Sequence, residues 1–475
     1  MRKTKIICTI GPSEDDYEIM RMLALDMDVA RFNFSHGTQD SHKEKLSMLR
    51  RAALEAGRPI AAMLDTKGPE IRTGFLKDHA PLLLEKGDSL ILTPAEENAS
   101  EKVYINYPAI LEDLREGHHI LIDDGLIDLV VKEIHGTDIR CEVVSGGILG
   151  EQKGVNIPGI PIRLPALTEK DKEDILFAVE NDFDFIAASF VRDADGIKEI
   201  RSLLEKKQSK IKIIAKIESR EGVKNFEDIV VAADGIMIAR GDLGVEVSPE
   251  MLPRLQKEMI RKCNYQGKIV ITATQMLDSM IRNPRPTRAE VTDVANAIDD
   301  GTDAIMLSGE TANGKYPVEA LQMMVSITEF TEQFHEHDLF RYREMEESLY
   351  DSISNTTCRA TVTAAHELKA AAIITPTISG NSALLLSKYR PDVDIIALSP
   401  YEITVRQMML FWGVHPIFAP RYASSDKIFE EAVEKVKEAG YVKENDLCVI
   451  TAGILSGKMK KRKAAATNMM RIMQV

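Results

Sequence analysis

Eight short runs of apolar, mostly β-branched residues recur along this chain, and each run ends in polar, glycine or charged residues. Most of the runs are followed by a helical pattern, so the chain consists of repeated strand–helix units. Eight such units predict a (β/α)8 TIM barrel, in which the loops that follow the strands carry the chemistry. The predicted barrel strands are 5–10, 29–33, 60–65, 185–189, 211–218, 235–240, 269–274 and 304–308.

One interval between predicted strands is far longer than the others. Short alternating runs, separated by turns rich in glycine and aspartate, fill the space between strands three and four. They predict an inserted small β-barrel domain over residues 69–165, placed as a lid over a barrel formed by 1–68 and 166–340. A second alternation of strands and helices predicts a C-terminal α/β regulatory domain over 341–475. Its expected strands are 371–375, 395–398, 417–419, 447–451 and 468–473.

Composition excludes several classes of protein. The net charge of −14 argues against a general nucleic-acid binder. No stretch approaches the roughly 18 apolar residues of a membrane span, and the apolar run after the basic N-terminus is far too short for a signal peptide. The five cysteines form no CxxC motif and no zinc-type spacing, so a reducing, cytoplasmic location is expected. Neither nucleic acid nor a membrane is expected as a partner.

Strands five and six end in charged residues at the predicted barrel mouth. Lys216 and Glu218 are two residues apart and therefore point to the same face of strand five. Asp242 follows strand six directly after Gly241, which permits close approach of a ligand to the backbone. Two carboxylates that leave the other coordination positions to water or substrate are typical of Mg²⁺. The alternatives are an ion pair without function for Lys216 and Glu218, and a helix-capping role for Asp242.

Strands two and three add cations and oxygen ligands to the same mouth. Arg31, Asn33 and Ser35 share one face of strand two by the same alternation. The arginine suits a phosphate group, whereas the amide and hydroxyl oxygens suit a cation. Asp65 ends strand three, and Arg72 follows it within the same segment.

Thr274 and Ser308 place hydroxyls after strands seven and eight, where either residue is able to cap the next helix instead. Taken together, the mouth suits a phosphorylated, carboxylated substrate with a divalent metal. Phosphoryl transfer needs mainly positioning and neutralisation of charge, which such a set of side chains supplies. The sequence contains no Walker A motif and no GxGxxG, so no P-loop or Rossmann turn is expected to hold a nucleotide.

Nine segments, in order along the chain, resemble the pyruvate kinase family. The likeness extends through the inserted segment and into the C-terminal domain, so it covers the whole chain. The matching strings are KIICTIGP (5–12), RFNFSHG (31–37), LDTKGPEIR (64–72), KGVNIPG (153–159), KIE (216–218), MIARGDLGVE (237–246), TATQML (272–277), PTRAE (286–290) and MLSGETA (306–312).

The resemblance implies transfer of the phosphoryl group of phosphoenolpyruvate to ADP, which gives pyruvate and ATP in the last step of glycolysis. It implies Mg²⁺ (or Mn²⁺) and K⁺ as cofactors, and a homotetramer. In this family a glutamate at the position of Glu70 accompanies potassium dependence, so activation by K⁺ is expected. The alternatives are a Mg²⁺-dependent aldolase-type barrel, which would lack the lid segment, and an inactive metabolite sensor, which the filled catalytic positions oppose.

Matching positions assign roles by resemblance to residues of the barrel mouth. The catalytic positions are Lys216, which stabilises charge on the phosphoryl group, Arg31, Arg72, Thr274 and Ser308. The substrate contacts are Arg31, Lys216, Gly241, Asp242 and Thr274. The nucleotide contacts are Asn33, His36 and Lys153; the Mg²⁺ ligands are Glu218 and Asp242; the K⁺ ligands are Asn33, Ser35, Asp65 and Thr66. The proton donor to the enolate is not identified, and Thr274 acting through water, relayed by Ser308, is the hypothesis.

A loop of the C-terminal domain resembles the family's site for a phosphorylated allosteric effector. Hydroxyls and backbone N–H groups at a helix start are suited to a phosphate, and a plain helix cap is the alternative. A later loop departs from the family because lysines replace its usual glycines, which indicates either a solvated loop or a more anionic effector. The expected effector residues are Thr375, Thr377, Ser379, Gly380, Asn381, Ser382, Lys458, Lys460 and Lys461.

Overall fold

The computed structural model describes residues 1–95, 102–160, 162–334, 353–421, 427–453 and 467–475. Eight parallel strands close into a barrel in which each strand pairs with its neighbours in chain order and strand one pairs with strand eight. The predicted fold class is therefore confirmed, and the predicted strands agree with the observed ones to within one residue at each end. Barrel strands one to eight are Lys5–Ile10, Val29–Asn33, Ala61–Asp65, Phe185–Ala188, Lys212–Ile217, Gly235–Ala239, Ile269–Ala273 and Ala304–Leu307.

The inward-facing residues of the barrel change from apolar to polar along each strand. Met63 and Ile214 are buried in the barrel interior. Two residues further along the same strands, the same face carries Asp65 and Lys216. Because residues two apart share a face, the C-terminal end of the barrel collects the polar groups, and the rest of the interior is filled with apolar side chains.

Helices pack around the outside of the barrel and bury its outward-facing residues. The longest begins after the capping residue Thr38 and ends at Ala56, because the left-handed backbone of Gly57 stops the helix. The α-helices of this part of the chain are Tyr17–Leu23, Gln39–Ala56, Glu169–Glu180, Ala194–Lys206, Arg220–Lys224, Phe226–Ala232, Arg240–Glu246, Leu252–Gln266, Arg288–Asp299, Gly309–Ala312 and Pro317–Gln333. Short 3-10 helices are Pro12–Asp15, Pro249–Met251 and Asp278–Ile281.

An aspartate stands directly before each of barrel strands two, four, six and eight. Each carboxylate accepts a hydrogen bond from a backbone N–H near the start of the preceding strand, and each also pairs with arginine. The four aspartate–amide pairs are Asp28 with Ile6 (2.8 Å), Asp184 with Ala62 (2.8 Å), Asp234 with Ile213 (2.8 Å) and Asp303 with Val270 (2.7 Å). We call these residues the strand-start aspartates; their arginine partners are Arg2, Arg58, Arg50, Arg406, Arg201 and Arg390.

The segment between strands three and four is built almost entirely of β-strands, as expected. It forms one six-stranded sheet and one two-stranded antiparallel sheet. In sheet order, the six strands are Val155–Asn156, His119–Ile122, Ile127–His135, Asp138–Ser145, Ser89–Thr93 and Lys102–Tyr104, and the two strands are Gly147–Leu149 and Leu82–Leu84. A helix, Ile110–Asp113, and a 3-10 helix, Lys77–His79, connect them.

The C-terminal domain is a five-stranded sheet with helices, as expected. The expected strand 417–419 is wrong in its start, because the strand begins at Val414 and includes Pro416. It lies at the edge of the sheet, where a missing N–H is tolerated. In sheet order the strands are Val414–Phe418, Asp394–Ser399, Ala372–Pro376, Leu447–Ala452 and Met469–Gln474, and the helices are Ile353–Glu367, Asn381–Lys388, Glu402–Met408 and Ile428–Glu438.

One hydrophobic cluster runs from the barrel interior into the C-terminal domain. It contains Met63 and Phe185 of the barrel together with Met408 and Phe411 of the C-terminal domain. The contact lies at the start of the barrel strands, opposite the mouth. Among the described residues, no helix combines the length and the apolar character that crossing a membrane requires.

Candidate active site

Lys216 is the centre of a buried network at the barrel mouth. Its ammonium lies 2.8 Å from Oε1 of Glu218 and 3.0 Å from Oδ1 of Asp65, and it donates a hydrogen bond of 2.7 Å to Oγ of Ser189. Burial alone lowers the pKa of Lys216, but the two carboxylates outweigh it and hold the pKa above its ordinary value. The lysine is therefore charged and held in one position before any substrate binds.

Asp65 also joins strand two to this network. Nε of Arg31 donates to Oδ2 of Asp65 at 2.6 Å, and another guanidinium nitrogen donates to Oγ1 of Thr9 at 3.0 Å. Burial raises the pKa of Asp65, but Arg31 and Lys216 overcome this effect and lower it below its ordinary value. Asp65 thus remains a carboxylate between two cations, a role beyond the cation ligation expected for it.

Ser189 is a site residue that the sequence reasoning missed. It follows strand four, and its hydroxyl lies 3.0 Å from Oδ1 of Asp65 and 2.6 Å from the carbonyl oxygen of Thr66. Its backbone N–H donates to Oγ1 of Thr66 at 3.1 Å. Its place after an apolar run, two residues beyond the inward-facing Ala187, is a signal that could have found it.

Glu218 and Asp242 provide the carboxylates expected to bind Mg²⁺. Oε2 of Glu218 accepts a hydrogen bond of 2.5 Å from the backbone N–H of Phe190, which orients that carboxylate. Burial, followed by the negative charge of Glu218, raises the pKa of Asp242 to about 7. This excess of negative charge suits a divalent cation, with most ligands left to substrate and water. Asp242 lies inside helix Arg240–Glu246, whose cap residue is Ala239, so the capping alternative is wrong.

The described residues contain no group of three or more histidine, cysteine, aspartate or glutamate side chains arranged to hold a metal ion. A pair of carboxylates completed by other oxygens is the arrangement that Mg²⁺ accepts. The donor set therefore fits this ion better than it fits zinc, which is held by cysteine and histidine.

Thr274 adopts a strained backbone conformation beside Gly241. Its φ is 68°, in the left-handed region that a β-branched residue rarely adopts. This turn lets Oγ1 of Thr274 accept a hydrogen bond of 2.8 Å from the backbone N–H of Gly241 and donate one of 2.6 Å to the carbonyl oxygen of Ala273. The ends of strands six and seven are thereby joined at the mouth.

Ser308 follows strand eight and occupies the cap position of helix Gly309–Ala312, but its side chain makes no capping hydrogen bond. Its Oγ is buried and, in the part of the chain that the structure describes, has no hydrogen-bond partner. Its backbone N–H donates to Glu310 at 2.7 Å instead. A buried hydroxyl without a partner is costly, which suits a group that shares its proton with a bound molecule.

A cleft of about 1240 Å³ separates the barrel mouth from the inserted segment. Glu218 and Asp242 line it from the barrel side, and Arg72 and Lys153 line it from the opposite side. Nε of Arg72 lies 2.6 Å from Oε2 of Glu70, and the ammonium of Lys153 lies 2.9 Å from Oδ1 of Asp123. The structure thus places Arg72 and Lys153 across the cleft from Glu218 and Asp242, and each of the two cations is paired with a carboxylate on its own side.

The oxygens expected to hold K⁺ lie at the ends of two adjacent strands. Asn33 and Asp65 are register partners of strands two and three, and Thr66 follows directly. Oδ1 of Asn33 accepts a hydrogen bond of 3.1 Å from the backbone N–H of Ser35. His36 is exposed at the same edge.

The expected effector loop is partly described. Thr375 lies inside strand Ala372–Pro376, directly before the loop, and its hydroxyl is buried. Oγ1 of Thr377 accepts a hydrogen bond of 3.1 Å from Gly380, and Oγ of Ser382 lies 2.6 Å from Oγ1 of Thr467. Ser379 and Asn381 are exposed. Lys458, Lys460 and Lys461 lie outside the described residues.

Comparison with known proteins agrees with this arrangement. Residues 1–321 match the family model described as pyruvate kinase, barrel domain, and residues 355–473 match that of the pyruvate kinase alpha/beta domain. The chain belongs to the pyruvate kinase family. A pyruvate kinase of Geobacillus stearothermophilus is 47% identical over 479 residues, which cover 99% of this chain and 80% of the relative. Those of Staphylococcus haemolyticus and Staphylococcus aureus (strain MRSA252) are 45% and 46% identical, with the same coverage.

Family membership establishes the type of enzyme. The chain is a phosphotransferase with pyruvate kinase function, so it works in glycolysis on phosphoenolpyruvate and ADP. This confirms the activity expected from the resemblance and excludes the aldolase-type alternative.

Proposed function

We propose that the barrel-mouth residues divide the work of phosphoryl transfer as follows. Lys216 stabilises negative charge on the phosphoryl group in flight, because its ammonium is charged and fixed in place by Asp65, Glu218 and Ser189. Arg31 binds the same phosphoryl group from strand two. The Lys216 network is the observation that carries this proposal.

Glu218 and Asp242 hold Mg²⁺ or Mn²⁺ in this proposal. When bound, the ion neutralises the charges of substrate and phosphate. Gly241, Asp242 and Thr274 contact the carboxylate and enolate of the substrate. The excess negative charge at Asp242 supports the assignment, since a cation relieves it.

Lys153, His36 and Asn33 bind the nucleotide, and Arg72 helps to bind the transferred phosphoryl group. Residues 69–165 act as a lid domain, inserted into a barrel of 1–68 and 166–340, with a regulatory domain over 341–475. The cleft that Arg72 and Lys153 share with Asp242 supports this proposal, because lid closure would bring both cations to the phosphates and exclude water.

Protonation of the enolate completes the reaction. We assign the donor to water held by Thr274, with Ser308 as the relay. The buried hydroxyl of Ser308 supports this assignment, because it lacks a partner in the described part of the protein.

K⁺ binds at Asn33, Ser35, Asp65 and Thr66 and activates the enzyme. A phosphorylated effector binds Thr375 and the loop 377–382 of the C-terminal domain, with Lys458, Lys460 and Lys461 as further contacts. We also propose a homotetramer, because the exposed edge strand Met469–Gln474 supports self-association. We propose a cytoplasmic location as well, because five free, buried cysteines support a reducing compartment.

The decisive experiment measures pyruvate formation from phosphoenolpyruvate and ADP with Mg²⁺, with and without K⁺. Lys216→Ala is compared with Lys212→Ala, which removes a lysine from the start of the same strand. We expect Lys216→Ala to lower kcat by about 10²- to 10³-fold and Lys212→Ala to retain activity. Equal activity of wild type and Lys216→Ala would remove the proposed role of Lys216, and equal rates without K⁺ would remove that of potassium.

A further inference from the structure

Helix Glu402–Met408 of the C-terminal domain contacts the starts of two neighbouring barrel strands. We propose that two successive residues of this helix, Arg406 and Gln407, are positioning residues for Lys216. They hold the starts of strands four and five, whose opposite ends carry Ser189 and Lys216. The inference rests on the proposed role of Lys216 and extends it to a second domain.

The contacts at the strand starts are direct. Nε of Arg406 donates to Oδ1 of Asp184 at 2.8 Å, in a contact that leaves 17% of the arginine side chain exposed. Nε2 of Gln407 donates to the carbonyl oxygens of Lys210 (2.8 Å) and Asp184 (3.2 Å). Asp184 directly precedes strand four, and Lys210 lies two residues before strand five. One helical turn therefore holds both strands.

The same two strands meet again at the mouth. The ammonium of Lys216 donates to Oγ of Ser189 at 2.7 Å. Between the two ends the strands are paired in register, with Ile186 opposite Ile213. An extended strand rises about 3.3 Å per residue, so roughly 17 Å separate Asp184 from Ser189. Because a paired and close-packed strand does not stretch, a displacement at its start moves its end.

The same helix also contacts the expected effector loop. Oγ1 of Thr404 donates to the carbonyl oxygen of Ile378 at 3.2 Å. A methyl group added at Gly380 would lie 3.3 Å from the ring of Phe411 and 3.4 Å from Met408. A phosphate bound at that loop would therefore act on the helix that holds strands four and five.

Arg390 provides a matched control at the same interface. It also belongs to the C-terminal domain, and it also contacts a strand-start aspartate, Asp303, at 2.6 Å. That aspartate precedes strand eight, away from strands four and five. Loss of Arg390 therefore removes a comparable interdomain ion pair without touching the proposed connection to Lys216.

The test is a double-mutant cycle on the enzyme of 475 residues, with turnover of phosphoenolpyruvate and ADP as the readout. We expect Arg406→Gln to lower kcat between about tenfold and a hundredfold while the KM for ADP stays nearly constant, and Arg406→Lys to restore part of the loss. If Arg406 acts through Ser189, adding Arg406→Gln to Ser189→Ala lowers kcat further by less than about twofold. For the control pair, Arg390→Gln and Ser189→Ala, the two fold-losses of kcat should multiply in the double variant.

Two results would overturn the inference. One is a multiplicative effect of Arg406→Gln and Ser189→Ala, and the other is an equal loss of kcat in Arg406→Gln and Arg390→Gln. If the wild-type enzyme shows no turnover, the proposed function fails separately. In that case, hydrogen exchange of the backbone amides in segments 185–189 and 212–217 tests the connection between Arg406 and Lys216. Faster exchange in Arg406→Gln than in Arg390→Gln supports the connection, and equal exchange in the two variants refutes it.

Discussion

The ammonium of Lys216 lies 3.0 Å from a carboxylate oxygen of Asp65, although their strands are not neighbours in the barrel. Strand four separates them, and its following residue, Ser189, touches both side chains. Three successive strand ends are thus joined by side chains alone. The contact orders Arg31 and Lys216, the two cations proposed to bind the phosphoryl group, so under that proposal the cost of orienting them is met on folding rather than during the reaction.

Asp65→Asn is expected to lower kcat by about 10²-fold or more, because it removes the charge that holds both Arg31 and Lys216. The measurement is steady-state kinetics at saturating Mg²⁺ and K⁺. Asp234→Asn is the control, since Asp234 also pairs with an arginine but at the opposite end of the barrel. A kcat for Asp65→Asn equal to that of the control would contradict the prediction.

Thr274→Ala is expected to slow ketonisation of enolpyruvate by about 10²-fold, in the range for loss of a proton-transfer group. Thr274→Ser keeps the hydroxyl and removes only the methyl group, so it should stay near the wild-type rate. The assay follows enolpyruvate absorbance, which isolates the protonation step from phosphoryl transfer. If Thr274→Ala ketonises enolpyruvate normally, this residue does not hold the proton donor.

Glu70→Gln is expected to raise the K⁺ concentration for half-maximal activity by roughly three- to tenfold, because one negative charge near the mouth is lost while the charge of Arg72 remains. The measurement is a K⁺ titration of initial rate at fixed ionic strength. Glu151→Gln, which removes a carboxylate paired with His79 on the inserted segment, should leave the titration unchanged. An unchanged titration for Glu70→Gln would separate Glu70 from potassium activation.

Glu14 makes stability depend on pH. Burial raises its pKa from 4.5 to about 8, although the N–H of Gly11 and the charge of Lys45 oppose the shift. The proton on Glu14 thus stabilises the fold fully below the unfolded pKa, and this contribution is lost as pH rises through about 8. Compared with Glu14→Gln, the wild-type free energy of unfolding should fall by up to about 1.4 kcal/mol per pH unit in this window.

Thermal unfolding of the wild type and Glu14→Gln from about pH 5 to about pH 9 checks this prediction. That range of pH roughly spans the interval between the unfolded and the folded pKa of Glu14. The melting temperature of the wild type should decline relative to that of Glu14→Gln as pH rises, and the difference should level off above the folded pKa. Parallel curves would mean that Glu14 ionises normally in the folded protein.

The barrel strands could be predicted closely from the sequence because buried parallel strands are continuous apolar runs, ended by polar residues. The edge strand at Val414 was placed too late because Pro416 reads as a breaker, and only the sheet order shows that it lies at an edge. Ser189 was missed because its importance comes from Asp65 and Lys216, which are distant in sequence. The position of Ser189 after an apolar run indicates that it lies at the barrel mouth, but it does not reveal which side chains it contacts there.

The strand-start aspartates also went unrecognised, since an aspartate before an apolar run resembles an ordinary turn residue. Their repetition has a consequence for how the barrel closes. A closed barrel requires a fixed stagger between neighbouring strands, and each aspartate marks that stagger for one strand pair by accepting from a single backbone N–H. A slip by one residue in any of the four pairs would leave an aspartate carboxylate facing the wrong amide. The end of the barrel opposite the active site therefore fixes the register of the strands, at four places around the barrel.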